Sequence, residues 1–289
     1  MKRPPDCRCP ASPAGTAPAR QARTGQPRSA LRVLGDPRVR LGLGAVVMLL
    51  TAAAAQGNHV GRGEARAFRV INGLPDSIYR PAWVIMQMGA LGAAPAAAGV
   101  ALLAHDGELA RRMLAGGGST WALSKLVKRL VRRPRPATLV TGARCRGRDA
   151  AGLGYLSGHA GVAAALGAAA LPRLGPAGRA VAVTIVPMVG LSRVYVGAHL
   201  PLDIAGGAAL GIAVEAAVAL LQQTGQVYAP ATAGRSQRRC SQSPCSCSRR
   251  HSTAVGEIWV ACMRAALRCL ARSTRMHRST SLGDRPANG

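Results

Sequence analysis

The chain has 289 residues, a formal net charge of +27, 48% hydrophobic residues and only 3% aromatic residues. A charge of this size is typical of proteins that bind nucleic acid or an anionic membrane surface. The sequence carries no zinc-finger, helix-turn-helix or RNA-binding signature, which argues against nucleic acid as a partner. Arginine, alanine, glycine and proline are abundant, and their GC-rich codons suggest a bacterial genome of high GC content.

Two polar tails hold much of this charge. Residues 1–40 lack apolar periodicity and predict a disordered basic arm, without the charged start and apolar stretch of a signal peptide. Residues 224–289 predict a mostly disordered tail rich in Ser, Arg and Cys, in which 254–271 would form an amphipathic basic helix. Seven of the eight cysteines lie in these tails, without the spacing of a disulfide framework or a zinc site.

Between the tails, residues 41–223 contain six apolar segments, each a candidate membrane span. The segments are 41–56, 83–104, 109–127, 158–171, 180–191 and 204–221. Residues 62–74 place apolar side chains among charges and predict an interfacial helix. The predicted fold is therefore an all-α, polytopic membrane bundle of about six transmembrane helices, with disordered basic tails.

A topology with the basic arm inside brings three motifs to one side. The end of the third span, the start of the fourth and the connection from the fifth to the sixth all then face outward. The composition of the loop 129–156 argues against this topology, because arginine-rich loops usually lie on the cytoplasmic side. We interpret several of those arginines as anion ligands. The sequence thus predicts a multi-pass protein of the cell membrane with an extracytoplasmic site.

The first motif is Lys128, six further residues, and Arg135-Pro136. Arginine offers a bidentate fork to a phosphate and lysine a compact charge, so the pair suits an anion. Arg133-Pro134 is a second Arg-Pro pair, but no lysine stands six residues before it, and Arg135 therefore fits better. A basic patch that flanks a membrane span explains this motif about equally well.

The second motif, Ser157-Gly158-His159, opens an apolar helix. Ser157 is a good helix cap, and the free N–H groups that follow it can bind an anion. Gly158 lets the backbone approach a phosphate, and His159 would lie beside the ester oxygen. A lone histidine at a helix start is more often structural, so this motif by itself is weak.

The third motif is Ser192-Arg193, then His199, then Asp203. Pro201 predicts the first turn of a helix, with His199 at its mouth and Asp203 one turn inside. The Asp203 carboxylate would accept the imidazole N–H and leave the other ring nitrogen free to attack. An acidic residue at the head of a membrane segment is costly unless it has a function.

In this order, the three motifs resemble the tripartite signature of the type 2 phosphatidic acid phosphatase superfamily. This family also contains vanadium haloperoxidases and bacterial polyprenyl-diphosphate phosphatases. The resemblance covers about residues 41–223. It implies a six-span helical bundle and dephosphorylation through a phosphohistidine, without a metal or another cofactor.

The resemblance also implies roles for individual residues. His199 would be the nucleophile, Asp203 its orienting partner and His159 the general acid. The phosphate ligands would be Lys128, Arg135, Ser157, Gly158 and Arg193. This chain departs from the family at Leu156, where proline usually precedes Ser-Gly-His. We expect this change to reduce preorganisation of the turn at most.

The expected substrate is a membrane lipid phosphate or diphosphate. A polyprenyl carrier is slightly favoured, because an outward-facing site could recycle it; phosphatidic acid and phosphatidylglycerol phosphate are the alternatives. A vanadate-dependent haloperoxidase is disfavoured because those relatives are soluble. An idle membrane protein that only binds lipid phosphate is disfavoured by the intact His159, His199 and Asp203. The sequence does not determine the oligomeric state.

Overall fold

A computed structural model describes residues 35–147 and 152–227 of the chain. Its helices are α1 (Pro37–Ala55), α2 (Arg62–Asn72), α3 (Tyr79–Gln87), α4 (Ala93–Leu103), α5 (Gly107–Val131), α6 (Pro136–Leu139), α7 (Gly158–Ala170), α8 (Pro176–Tyr195) and α9 (Pro201–Val227). Within the described residues no strand forms, which confirms the all-α prediction. Of the predicted disordered arm 1–40, residues 37–40 instead begin α1, and of the predicted tail 224–289, residues 224–227 continue α9. The rest of the arm up to residue 34, and the rest of the tail with its predicted helix at 254–271, lie outside the described residues.

Helix α7 lies at the centre of the bundle. Ten of its 13 residues are buried, and α5, α8 and α9 pack around it. The close packing of α7 and α9 depends on small residues. A Cβ atom on Gly211 would lie 2.0 Å from the carbonyl oxygen of Gly161, so a side chain has no space there. This contact seats α9 against α7 and fixes the start of α9 beside the start of α7.

The outer faces of the long helices are apolar. Within residues 35–147 and 152–227, three helical segments are long and apolar enough to cross a membrane, namely Pro37–Asn58, Pro176–Tyr195 and Pro201–Thr224. Large hydrophobic side chains point outward from several helices, including Leu50, Leu103, Leu130 and Leu221. Such a surface suits a hydrocarbon environment. The structure therefore agrees with a membrane bundle, whereas the count of six spans stays a prediction.

The second predicted span, 83–104, is not one helix. The chain forms α3 and α4 with a break between them, from Met88 to Gly92. The break brings Gly89 against α7, where a Cβ atom would lie 2.2 Å from the carbonyl oxygen of His159. Only glycine allows this close approach. Hydropathy registers the apolar character of the segment but not the break.

A buried ion cluster lies near the middle of α9. Glu215 is fully buried on α9, about 18 Å along the helix from Asp203. Its carboxylate pairs with Arg40 of α1, at 2.7 Å, and with Arg112 of α5. The cluster joins three helices far from the predicted site, and the motif analysis did not identify it.

Candidate active site

The three motifs meet at one end of the bundle. The end of α5, the start of α7, the end of α8 and the start of α9 all converge there. Lys128 Nζ donates to the carbonyl oxygens of Leu153 and Gly154, at 3.2 and 3.1 Å, which ties α5 to the loop before α7. The backbone N–H of Ser157 donates to the carbonyl oxygen of Asp203 at 2.9 Å. The predicted convergence of the motifs is therefore present in the fold.

The start of α7 has the predicted geometry. Ser157 is the N-cap, and its side chain accepts from the N–H of Ala160 at 3.4 Å. Gly207 of α9 leaves room for this turn, because a Cβ there would lie 2.3 Å from the carbonyl oxygen of Ser157. Gly158 and His159 are the first two residues of α7. The free N–H groups at this helix start suit an anion.

His199 and Asp203 lie at the start of α9, as predicted. His199 is 3% exposed and Asp203 is fully buried. The predicted hydrogen bond between them is not formed, because His199 Nδ1 and Asp203 Oδ2 are 3.7 Å apart. The Asp203 carboxylate instead accepts from Arg133 Nη1 at 2.9 Å and from the N–H of Leu200 at 2.8 Å. The Asp203 carboxylate thus faces the His199 ring beyond hydrogen-bond distance and is held in place by two other donors.

Burial determines the charge state of His199. It lowers the pKa of the imidazole from 6.5 to about 4, against the opposing attraction of the Asp203 carboxylate. At neutral pH the ring is therefore uncharged, and an uncharged imidazole has a lone pair for attack on an electrophile. The geometry and the protonation state both suit a nucleophile.

Two cations, Lys128 and Arg193, lie near this histidine, and Arg135 lies within electrostatic range of Lys128. Arg193 is 5% exposed in the last turn of α8, with Nη1 3.1 Å from the sulfur atom of Met86. Arg135 caps the short helix α6. Lys128 lies within electrostatic range of both arginines and of Asp203. Since like charges in a confined space repel one another, a bound anion would stabilise this arrangement.

Sequence reasoning missed two charged residues of this site. Arg133, treated above as the poorer Arg-Pro candidate, is fully buried and pairs with Asp203 and with Glu64 of α2. Although burial opposes it, the Glu64 and Asp203 carboxylates raise the pKa of Arg133. The only sequence feature that could have drawn attention to Glu64 is the scarcity of acidic residues, of which the chain has 11.

The expectation that several loop arginines bind an anion is therefore too broad. Arg133 is committed to protein carboxylates, and Arg146 is also engaged within the fold. Arg146 donates to Asp76 at 2.7 Å and to the carbonyl oxygen of Tyr195 at 2.8 Å, and its guanidinium stacks on the Tyr195 ring. Both arginines fasten the loop to the bundle.

Comparison with known proteins agrees with this site. The model of the PAP2 superfamily matches residues 110–226, a stretch that contains all three motifs. The chain is therefore similar to the PAP2 superfamily over this stretch. The PAP2 match begins within α5 and ends within α9, so it leaves out α1 to α4 and therefore Glu64.

Two proteins named as phosphatases are similar to this chain. A decaprenylphosphoryl-5-phosphoribose phosphatase of Mycobacterium tuberculosis is 37% identical over 108 residues, which are 37% of this chain and 58% of the relative. The chain thus matches less than two thirds of that relative's length. The crystal structure of a transmembrane PAP2 type phosphatidylglycerolphosphate phosphatase from Bacillus subtilis superposes with a TM-score of 0.51 at 21% identity. The superposition covers 64% of this chain and 96% of the Bacillus subtilis chain, which shows that the two share a fold.

Proposed function

We propose that the protein is an integral-membrane phosphatase that hydrolyses a lipid phosphate or diphosphate through a phosphohistidine, without a metal. The observation that carries this proposal is the buried, uncharged His199 beside Asp203, at the point where Lys128, Arg135 and Arg193 converge. An uncharged nucleophile next to several cations suits attack on a phosphate ester.

The reaction proceeds in two steps. The cations and the N–H groups at the start of α7 hold the phosphate and neutralise charge during in-line transfer. His199 attacks the terminal phosphorus, the bond from that phosphorus to its ester or bridging oxygen breaks, and His159 gives that oxygen a proton, so that the lipid alcohol or the lipid phosphate leaves. Water then attacks the phosphohistidine, with His159 accepting its proton, and inorganic phosphate and free His199 are released.

Two features support a substrate with a hydrocarbon chain. The helices present apolar outer faces, and an apolar cavity of about 470 Å³ lies between α4, α7 and α8. On α7 the cavity is lined by Ala163, Leu166 and Gly167, and Ala163 lies about one helical turn after His159. A prenyl or acyl chain fits such a lining of small residues.

Among lipid phosphates, we favour a polyprenyl phosphate or diphosphate. The Mycobacterium tuberculosis relative is named a decaprenylphosphoryl-5-phosphoribose phosphatase, and the compound in that name carries a polyprenyl chain. Phosphatidic acid and phosphatidylglycerol phosphate are the alternatives. We further propose that the protein crosses the cell membrane several times and that the site faces the extracytoplasmic side.

The test is release of inorganic phosphate by the detergent-solubilised full chain in the presence of EDTA. The panel contains prenyl diphosphates, prenyl phosphates, phosphatidic acid and phosphatidylglycerol phosphate. We expect release that survives EDTA and is abolished in His199→Ala. The matched control is His105→Asn, in the exposed turn between α4 and α5, where φ is 58° and asparagine is tolerated. This control should keep wild-type activity.

Either of two results would contradict the proposal. Wild-type activity in His199→Ala would exclude the phosphohistidine. No release from any lipid by a folded wild-type protein would favour a membrane protein that binds lipid phosphate without turnover.

A further inference from the structure

The guanidinium of Arg133 joins two carboxylates that are far apart in the sequence. Arg133 Nη1 donates to Asp203 at 2.9 Å and to Glu64 Oε1 at 3.2 Å, and Nη2 donates to Glu64 Oε2 at 2.8 Å. Arg133 and Asp203 are fully buried, whereas the Glu64 side chain is 13% exposed. The pairing with Glu64 is bidentate, which fixes the plane of the guanidinium as well as its position.

Both partners of this pair also hold the backbone of the site. Glu64 Oε1 accepts from the N–H of Leu202, the residue before Asp203, at 3.1 Å. The carbonyl oxygen of Arg133 accepts from the N–H of Gly154 at 2.7 Å, in the loop that leads to Ser157. Arg133 thus contacts the third motif through its side chain and the approach to the second motif through its backbone.

We propose that Glu64 and Arg133 are positioning residues, which aim the Asp203 carboxylate at His199 and keep its negative charge available to that histidine. The inference rests on the proposed function. Neither residue needs to contact the substrate, because both act through Asp203.

The charges of the cluster explain why both residues are needed. Asp203 Oδ1 accepts a hydrogen bond from Arg133 Nη1, and Oδ2 faces His199 Nδ1. A single buried cation beside Asp203 would compete with His199 for the carboxylate as positive charge develops on the ring. Glu64 neutralises that cation, so Asp203 can still stabilise the charged ring. In the part of the chain that the structure describes, the other charged groups that act on His199 are Lys128 and Arg193, and both are cations.

Two variants test this inference in the full-length protein. Glu64→Gln keeps the shape and one acceptor but removes the charge, and Arg133→Lys keeps the charge but loses the bidentate fork. We expect kcat to fall about 10- to 100-fold in each, as for outer partners of functional groups, with KM within about twofold of wild type. The control is Glu108→Gln, which removes a charge paired with Arg173 at 3.3 Å near the start of α5. It should leave kcat unchanged.

Two further readouts separate positioning from a structural role. Because both variants act through Asp203, the double variant should lose less activity than the product of the single losses. Glu64→Gln also adds one net positive charge near the site, so the titration of His199, followed by ¹⁵N-histidine NMR, should move to lower pH. Independent losses or an unmoved titration would contradict the inference.

The outcomes distinguish this inference from the proposed function. If His199→Ala is inactive and both folded variants keep wild-type kcat, the inference alone is overturned. If the wild-type protein releases no phosphate, the proposed function fails and the inference fails with it. Activity is expressed per folded molecule after size-exclusion chromatography. If Arg133→Lys does not fold, the kcat of Glu64→Gln alone tests the inference.

Discussion

Replacement of Asp203 by asparagine perturbs stability and activity by amounts that follow from its contacts. The carboxylate accepts from Arg133 on one oxygen and from the N–H of Leu200 on the other. An amide has one oxygen and one NH₂ group, so in either orientation one of these two donors faces another donor. The loss of one hydrogen bond that involves a charged group costs about 1.5–3 kcal/mol.

A larger destabilisation is not expected, because Arg133 keeps its bidentate pairing with Glu64. Removal of the only partner of a buried charge would cost about 3–5 kcal/mol. For a domain of this size, a loss of about 1.5–3 kcal/mol lowers the melting temperature by roughly 3–12 °C. Asp203→Asn should therefore fold, so that its activity can be measured.

Asp203→Asn should have a much larger effect on activity than on stability. An Asp→Asn change in the His-Asp pair of a serine protease lowers kcat about 10⁴-fold by favouring the wrong tautomer. The contact here is 3.7 Å long in the absence of substrate. We therefore expect a loss of at least about 10²-fold in kcat.

Phosphate release and thermal unfolding in detergent measure the two effects of Asp203→Asn together. Asp36→Asn is the control, because Asp36 caps α1 far along the chain and asparagine caps a helix equally well. Wild-type kcat in folded Asp203→Asn would refute the role of the carboxylate. An unchanged melting temperature would refute the description of its two hydrogen bonds.

Three further changes test the packing and the charges. Gly211→Ala should destabilise the bundle by about 1–3 kcal/mol in thermal unfolding, because its Cβ would overlap Gly161, whereas Gly118→Ala meets open space and should not destabilise. Glu215→Gln should cost about 1.5–3 kcal/mol, because the amide keeps one acceptor and leaves one of its two arginine partners facing a donor, and it should not change kcat per folded molecule; a lower kcat would contradict the distance of Glu215 from the site. In ¹⁵N-histidine NMR, the His199 signal, assigned by its loss in His199→Ala, should titrate near pH 4; a titration near 6.5 would contradict its burial.

Local sequence patterns were sufficient to predict much of the fold and of the site. Helices α1, α7 and α9 coincide with apolar segments, because hydropathy reports directly on burial in protein or lipid. The residues of each motif lie close together in the sequence, so the positions of His199 and Asp203 at one helix start followed from Pro201 and the spacing.

Contacts between distant segments could not be predicted in this way. Glu64 lies 69 residues before Arg133, in a helix whose charge pattern predicted only an interfacial position. Its buried neighbour Phe68 shows that one face of α2 packs into the bundle. The break between α3 and α4 was missed for a similar reason, since its cause is the close approach of Gly89 to His159 on another helix.

The position of Arg133 also follows from local chemistry combined with a distant partner. The α conformation is disfavoured for a residue that precedes proline, as Arg133 does. Helix α5 accordingly ends at Val131, two residues before Arg133. The chain therefore leaves the helix at Arg132, which has a φ of 55°, and Arg133 turns inward toward Asp203. Arg135, two residues later, caps α6 within electrostatic range of Lys128. The two consecutive Arg-Pro pairs thus have different roles: Arg133 neutralises protein carboxylates, whereas we propose that Arg135 binds the phosphate of the substrate.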